Sequence, residues 1–225
     1  MSEITNIIDF SINYSKNNPA YKIYTGGIVA RAKDFTRELY RPLKLMISIV
    51  ILGIFIILFL YMKTPILPLK ASIMNFIPIL SSFGVLTMVF QYGYLSDILG
   101  TPHNGSVSNM IPLILFCVIF GLSMDYEVLI LSRITEHYHK TGDVKESVVE
   151  GIAKSSQIIT GAALILLGVF VPGIFSNSPL VKEICLGISA AILIDATIVR
   201  LVLVPSFMML LGKYNWIGSE NRFKI

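Results

Sequence analysis

Ile111-Pro-Leu-Ile-Leu-Phe-Cys-Val-Ile-Phe-Gly-Leu-Ser-Met-Asp-Tyr-Glu-Val-Leu-Ile-Leu131 is a run of 21 residues whose only charged side chains are two acids, Asp125 and Glu127. About 20 apolar residues in a helix cross the hydrocarbon layer of a bilayer. The run therefore predicts a transmembrane helix, with Asn109 placed to cap it and Pro112 in its first turn. A carboxylate at the centre of such a helix costs roughly 2.5–3.5 kcal/mol on insertion scales, so it is a functional candidate by default. The stretch sets the solvent of the fold and the place to look for its chemistry.

Four more segments approach the same length, at about 45–62, 71–90, 158–175 and 180–211. The second is interrupted by Asn75, Pro78, Ser81, Ser82 and Gly84, which predicts packing against other helices, since small residues let backbones approach. The whole chain is 54% hydrophobic and 14% charged with a mean hydropathy of +0.74. A soluble domain carries roughly 25% charge, so a soluble enzyme is excluded and an all-α membrane protein, a bundle of about five transmembrane helices, is expected. The domain reading is an external tail at 1–40, a transmembrane domain at 41–212 and a cytoplasmic tail at 213–225.

Net charge is +4 and pI about 9.0. In a soluble chain that would suggest nucleic acid. Here Lys and Arg collect at helix ends, where they meet anionic headgroups and set orientation; membrane lipids are the expected partners and nucleic acid is not. If the N-terminus lies outside, the inner connectors hold Lys63, Lys70, Arg133, Lys140, Lys145, Lys154, Lys213, Arg222 and Lys224, whereas the outer loops after the second and fourth helices hold Lys182 alone. That asymmetry predicts a multi-pass cell-membrane protein with an outside N-terminus and a cytoplasmic C-terminus. It leaves Lys16, Lys22, Arg31, Lys33, Arg37, Arg41 and Lys44 outside. Such a cationic tail is exported only behind an upstream helix, so the chain is expected to be the C-terminal part of a longer or split protein. The first 40 residues show no apolar signal-peptide core.

Between the third and fourth segments the polar stretch 133–157 has Asp143 followed by Glu146, the spacing of a capping box, which predicts a short surface helix. His103, His137 and His139 fall in polar connectors and read as solvated loop residues. Cys117 and Cys185 sit in apolar runs without metal-ligand spacing, so neither a disulfide, a metal site nor a cofactor is expected. Asn104-Gly-Ser106 fits a glycosylation sequon, a common chance match. Gly-rich phosphate loops and nucleophile arrangements are absent from the sequence.

The intramembrane polar residues admit two readings. Burial in low dielectric favours the neutral acid, so Asp125 could take and release protons as a relay, or it could be permanently paired with a group on another helix. Gly121 lies one turn earlier on the same face, and Ser123 lies between them. Tyr126, taken alone, reads as filler or an interface anchor. Glu127 is ~200° round the helix from Asp125, nearer the inner end, and is expected to reach water or a surface base. Asp195 and Arg200 are ~140° apart, a poor intrahelical pair, so each is expected to find its partner elsewhere and serve structural neutralisation. Thr160, with Ser155, Ser156 and Gln157, could donate hydrogen bonds to a relay on a neighbouring helix.

Gly121-Leu-Ser-Met-Asp-Tyr-Glu-Val-Leu-Ile-Leu-Ser-Arg133 resembles the signature in the fourth helix of each half of MMPL transporters, within the resistance-nodulation-division (RND) superfamily, and its Gly121 to Asp125 part matches that superfamily's GxxxD pattern. Asp195-Ala-Thr-Ile-Val-Arg200, followed by Leu203-Val-Pro205, Leu210-Leu-Gly212 and Asn215-Trp216, resembles the last helix and its exit. Gly26-Gly27 ahead of Ala30 and Asp34 is similar to the return of the external domain to the membrane. The resemblance implies the last five helices of one half of an RND membrane domain, with a short N-terminal remnant of the external domain. It further implies proton-driven export or flipping of lipids or other hydrophobic molecules, with Asp125 and Tyr126 as the proton relay facing a like pair from the missing N-terminal half or a second similar chain. The alternatives are a non-transporting lipid-sensing or assembly module, and the remnant of a truncated gene.

Overall fold

The computed structural model describes residues 26–62, 64–100 and 107–216, together with 10, 13, 14 and 17. His103, the sequon at Asn104, and most of the two expected tails lie outside the described residues. Five helices are long and apolar enough to cross a membrane: Ala30–Met62, Ile66–Gln91, Ile111–Thr141, Val144–Gly173 and Pro179–Leu211. The all-α membrane bundle expected from the hydropathy pattern is therefore what forms. In lipid no water satisfies exposed backbone groups, and a helix satisfies its own.

Two compact units divide the chain, Met1–Ile49 and Val50–Ile225. In the first, α1 (Ile28–Tyr40) starts after Gly27, whose φ of 109° is one that only glycine adopts readily. Helix α2 (Leu43–Met62) begins in the first unit and ends in the second, where Leu58 and Met62 enter the core.

The second span is α3 (Ile66–Met74) and α4 (Phe76–Leu86), joined at Asn75 and continued by a π-helical turn, Thr87–Gln91. Pro78, with no N–H to give, stands in the first turn of α4, where none is required. After the short α5 (Ser96–Leu99) come α6 (Ile111–Thr141), α7 (Val144–Gly173) and α8 (Pro179–Ile194). A π-helical segment, Asp195–Leu203, then leads into α9 (Val204–Leu211) and a 3-10 turn, Gly212–Trp216.

Several boundaries differ from the sequence reading. The third span runs ten residues beyond Leu131 because its polar end remains helical, braced by Lys140 on Glu136 at 2.8 Å, until Gly142 closes it in the left-handed conformation. Its first residue follows Met110 rather than an Asn109 side-chain cap. The surface helix at Asp143 is not separate: Asp143 caps α7 itself, accepting from the backbone N–H of Lys145 at 2.8 Å and of Glu146 at 3.1 Å. His137 and His139 consequently sit on α6 rather than in a loop, His137 Nδ1 lying 3.4 Å from Ser147 Oγ.

Packing is closest where side chains are missing. A Cβ on Gly187 of α8 would lie 2.8 Å from Leu115 Cδ1 and 3.2 Å from Leu86 Cδ1, so the second, third and fifth spans converge there. Ser82 fastens the same point by donating to the Gly187 carbonyl at 2.7 Å. Gly151 of α7 seats Ile134 of α6 in the same way. At one end of the bundle the Trp216 ring stacks on Tyr138 at 4.2 Å, and Asn215 Nδ2 donates to the Met208 and Gly212 carbonyls, each at 2.8 Å. At the other, Lys182 is not a loose outer-loop cation: its Nζ donates to the carbonyls of Leu99 at 2.6 Å and Gly100 at 3.1 Å, while Glu183 accepts from the Ser108 N–H at 2.9 Å.

Gly187→Val forces side chains into that convergence and should cost about 1–3 kcal/mol, with Asp143→Ala costing about 1 kcal/mol through the lost cap. Gly84→Ala, where nothing lies within 4 Å, should leave stability unchanged or slightly raised. Denaturant titration of the chain in detergent, followed by circular dichroism, measures all three.

Candidate functional site

The site begins where α8 changes pitch. In the Asp195–Leu203 segment the backbone bonds i→i+5 rather than i→i+4, which stacks residues five apart in one column. Asp195 and Arg200 therefore pair within their own helix, contrary to the α-helical expectation. Arg200 Nε and Nη2 donate to Asp195 Oδ2 at 2.9 and 2.7 Å. Both residues are buried, Arg200 at 3% and Asp195 at 7% exposure.

The pair is bound to α6 through Ser123. Arg200 Nη2 donates to the Ser123 carbonyl at 2.6 Å and to its Oγ at 3.1 Å. The Ser123 hydroxyl has one hydrogen and two acceptors, Asn75 Oδ1 at 2.9 Å and Asp195 Oδ1 at 3.2 Å. Asn75 Nδ2 reaches Met124 Sδ at 3.2 Å. The Arg200 guanidinium also lies over the Tyr126 ring, 5.1 Å from its centroid, a cation–π contact. Ser123, Tyr126, Asp195 and Arg200, with Ala163 and Ala191, line a cavity of about 20 Å³, room for one water. The second, third and fifth spans are thus locked by one buried charge and the groups that satisfy it.

Asp125 is not in that cluster. It is exposed on the surface of the chain, and no hydrogen bond or ion pair joins it to the described residues. Gly121, one turn away, is also exposed with nothing within 4 Å of its Cβ position, and Cys117 is exposed a turn further on. Arg200 and Lys70 are engaged elsewhere, Arg200 as described and Lys70 Nζ on the Val204 carbonyl at 3.1 Å.

Glu127, expected to reach water, is instead the buried carboxylate of α6, 5% exposed, with Oε2 lacking any hydrogen-bond partner among the described residues. The reason is the length of α6: since the helix continues to Thr141, Glu127 is mid-helix. Thr160 is exposed and lines a shallow cavity beside Arg200. Ser155 is buried with its hydroxyl unpartnered, Ser156 donates to Ala153 O at 2.9 Å, and Gln157 is exposed; none of these hydroxyls bonds the Asp195 cluster. Sequence reasoning missed Asn75 as a bridge and Lys70 as an interior cation. The signal for both was a strong polar group inside or against an apolar span. No cluster of three metal-ligating side chains occurs among the described residues.

A bundle of membrane-length helices with a sealed ion pair between spans, and a free carboxylate displayed on the third span's open face, is the interior of a polytopic membrane protein built around intramembrane charge. The chain belongs to the MMPL family, whose profile matches residues 3–224. It is 37% identical over 194 residues to the mycolic acid-containing lipids exporter MmpL11 of Mycolicibacterium smegmatis, covering 86% of this chain and 20% of that protein. It is 36% identical over 197 residues to the heme uptake protein MmpL11 of Mycobacterium tuberculosis, covering 88% and 20%. It is 36% identical over 195 residues to the trehalose monomycolate exporter MmpL3 of Mycolicibacterium smegmatis, covering 87% and 19%. The chain spans about a fifth of the length of these curated relatives.

Removing one member of a buried ion pair leaves the other uncompensated, at a cost of roughly 3–5 kcal/mol. Asp195→Ala and Arg200→Ala should each fall in that range, and the double variant should cost clearly less than their sum. Arg200→Lys should also destabilise, because an ammonium cannot reproduce the guanidinium fork that reaches Asp195 and Ser123 together. A double-mutant cycle in detergent unfolding reads all of these.

Proposed function

We propose that this chain is the C-terminal membrane portion of a transporter that exports or flips lipids or other large hydrophobic molecules, driven by protons passing through the helix bundle. The observation that carries it is Asp125: an unpaired acid in a membrane-spanning helix, set on a face cleared by Gly121, next to a bundle interior where every charge but Glu127 has a hydrogen-bonding partner. A relay must be able to change its charge, and a carboxylate held by a fixed cation is poorly suited to that. Tyr126 adjoins it and is held by Arg200.

The open face of α6 takes a second helix bundle, either the N-terminal half of a longer protein or a second similar chain, which brings its own polar groups to Asp125. The relatives' names support a hydrophobic cargo, mycolic acid-containing lipids and trehalose monomycolate in two cases and heme in the third. Arg133, Lys140, Lys145 and Lys154, at the shared polar end of α6 and α7, support a cytoplasmic position for that end and for the C-terminus, with residues 1–40 outside. Each proton moving down the membrane potential supplies roughly 2.3 kcal/mol per 100 mV, and protonation of Asp125 alters how the two bundles meet.

In the complete assembly, Asp125→Asn should reduce export to the level seen when an uncoupler collapses the gradient, and Asp125→Glu should keep a substantial part of it. Export that persists undiminished in Asp125→Asn rules out the relay. Cys117, exposed on the same flank of α6, should label readily with a membrane-permeant maleimide in the isolated chain and slowly in the assembly. Equal labelling in both means that this face is not the one covered.

A further inference from the structure

The polar end shared by α6 and α7 holds a cleft that the arrangement above does not use. Its volume is about 50 Å³, and it is lined by Arg133, Glu136, His137 and Lys140 from α6 and by Glu150 and Lys154 from α7. That is room for a few waters or one tetrahedral anion. The lining residues recur three and four apart on each helix, so each set occupies one face. Gly151 also lines the cleft, and Ile134 packs where its side chain would stand, so the two helices touch there.

The ion pairs at the cleft each lie within one helix. Glu136 serves both Lys140 at 2.8 Å and Arg133 at 3.6 Å, and Glu150 meets Lys154 at 3.5 Å. Exposed pairs of this kind hold their side chains only weakly. With His137 neutral and its Nδ1 beside Ser147 Oγ at 3.4 Å, three permanent cations face two carboxylates. One positive charge is left in excess, which matches the single negative charge of a phosphodiester. Arg133 shares its only acid with Lys140, and most of its five N–H groups stay free for a phosphate.

Height along the helices indicates where such an anion comes from. The apolar run of α6 ends at Leu131 and that of α7 opens at Ile158, so Arg133 and Lys154 stand about 3 and 6 Å outside the hydrocarbon at 1.5 Å per residue. Lipid headgroups occupy roughly the first 5–8 Å there. Beyond Lys154, Ile158, Gly161 and Ile165 continue the same stripe of α7. Ile158 is 54% and Ile165 71% exposed, and nothing lies within 4 Å of the Gly161 Cβ position. An open apolar track thus leads from the cleft into the membrane. We propose that the cleft binds the phosphodiester headgroup of an anionic membrane phospholipid, with an acyl chain laid along that track. Arg133 presents its fork and Lys140 and Lys154 their point charges, and the lipid bridges α6 and α7, which the intrahelical pairs do not. The proposal depends neither on proton coupling nor on Asp125.

Native mass spectrometry of the purified full chain in detergent, equilibrated with equal amounts of phosphatidylglycerol and phosphatidylcholine carrying the same acyl chains, provides the test. Phosphatidylglycerol should be retained in preference, and excess inorganic phosphate should not displace it. Arg133→Ala and Lys154→Ala should each lower its retention by about fivefold, the weight of one basic residue beside an anionic headgroup. Lys145→Ala, at the same end of α7 but outside the cleft, should leave it unchanged. Equal retention of the two lipids, or retention indifferent to both cleft variants, overturns the proposal. Displacement by inorganic phosphate assigns the cleft to a soluble anion and also overturns it. Crosslinking of Lys154→Cys to a second bundle in the complete assembly, with no lipid retained there, makes the cleft a protein interface and does the same. The preference between the two lipids is read on the unmodified chain, so a variant that fails to fold leaves the question decided.

Discussion

A guanidinium cannot shed its charge inside a protein, so placing Arg200 between membrane helices obliges the surroundings to satisfy it. The obligation is met by the π-helical segment, which brings Asp195 into the same column, and by the carbonyl and hydroxyl of Ser123 on α6. Much else follows from that requirement. Ser123 must face the fifth span, which turns Glu127 inward on the same side of α6 and Asp125 outward. Asn75 must be near enough to receive the Ser123 hydroxyl, and the second span breaks its helix at that residue, where α3 gives way to α4.

The same geometry explains why α6 presents two acids in such different settings. Residues two apart on a helix point to nearly opposite sides, so fixing one side by the Arg200 lock leaves the other at the surface. Gly121 keeps that outer side flat, and the glycines at 151 and 187 do the reverse on their own helices, admitting Ile134 of α6 at one and Leu115 of α6 with Leu86 of α4 at the other. Small residues thus serve interior packing at two places and an open surface at a third. Only the surroundings tell these uses apart.

That distinction marks how far the sequence could be read. Hydropathy located all five spans because their apolar runs are longer than any soluble helix requires, and Asp125 and Arg200 stood out because ionisable groups are rare there. What the sequence concealed was pitch and length. A pairing of Asp195 with Arg200 requires the i→i+5 ladder, which nothing in Ala-Thr-Ile-Val announces. Glu127 was misplaced because the polar residues 132–141 read as the end of a membrane helix, when they are its continuation, held by i,i+4 pairs and stopped by Gly142. Asn75 was legible as an interruption but not as a bridge, since its partners are 48 residues or more away in sequence.

The outward acid also bears on the docking proposed for this face. Leaving a carboxylate against lipid costs only roughly 2.5–3.5 kcal/mol on insertion scales. The Arg200 network and the close packing at Gly187 join the second, third and fifth spans without any contribution from Asp125. In the proposed assembly the same few kcal/mol would be recovered by donors from another bundle, and only if those donors meet Asp125 in register. A modest, local and geometrically demanding gain of this kind selects one docking arrangement while contributing little to overall adhesion. That is the property an interface needs if a change of charge at a single residue is to alter how its two sides meet.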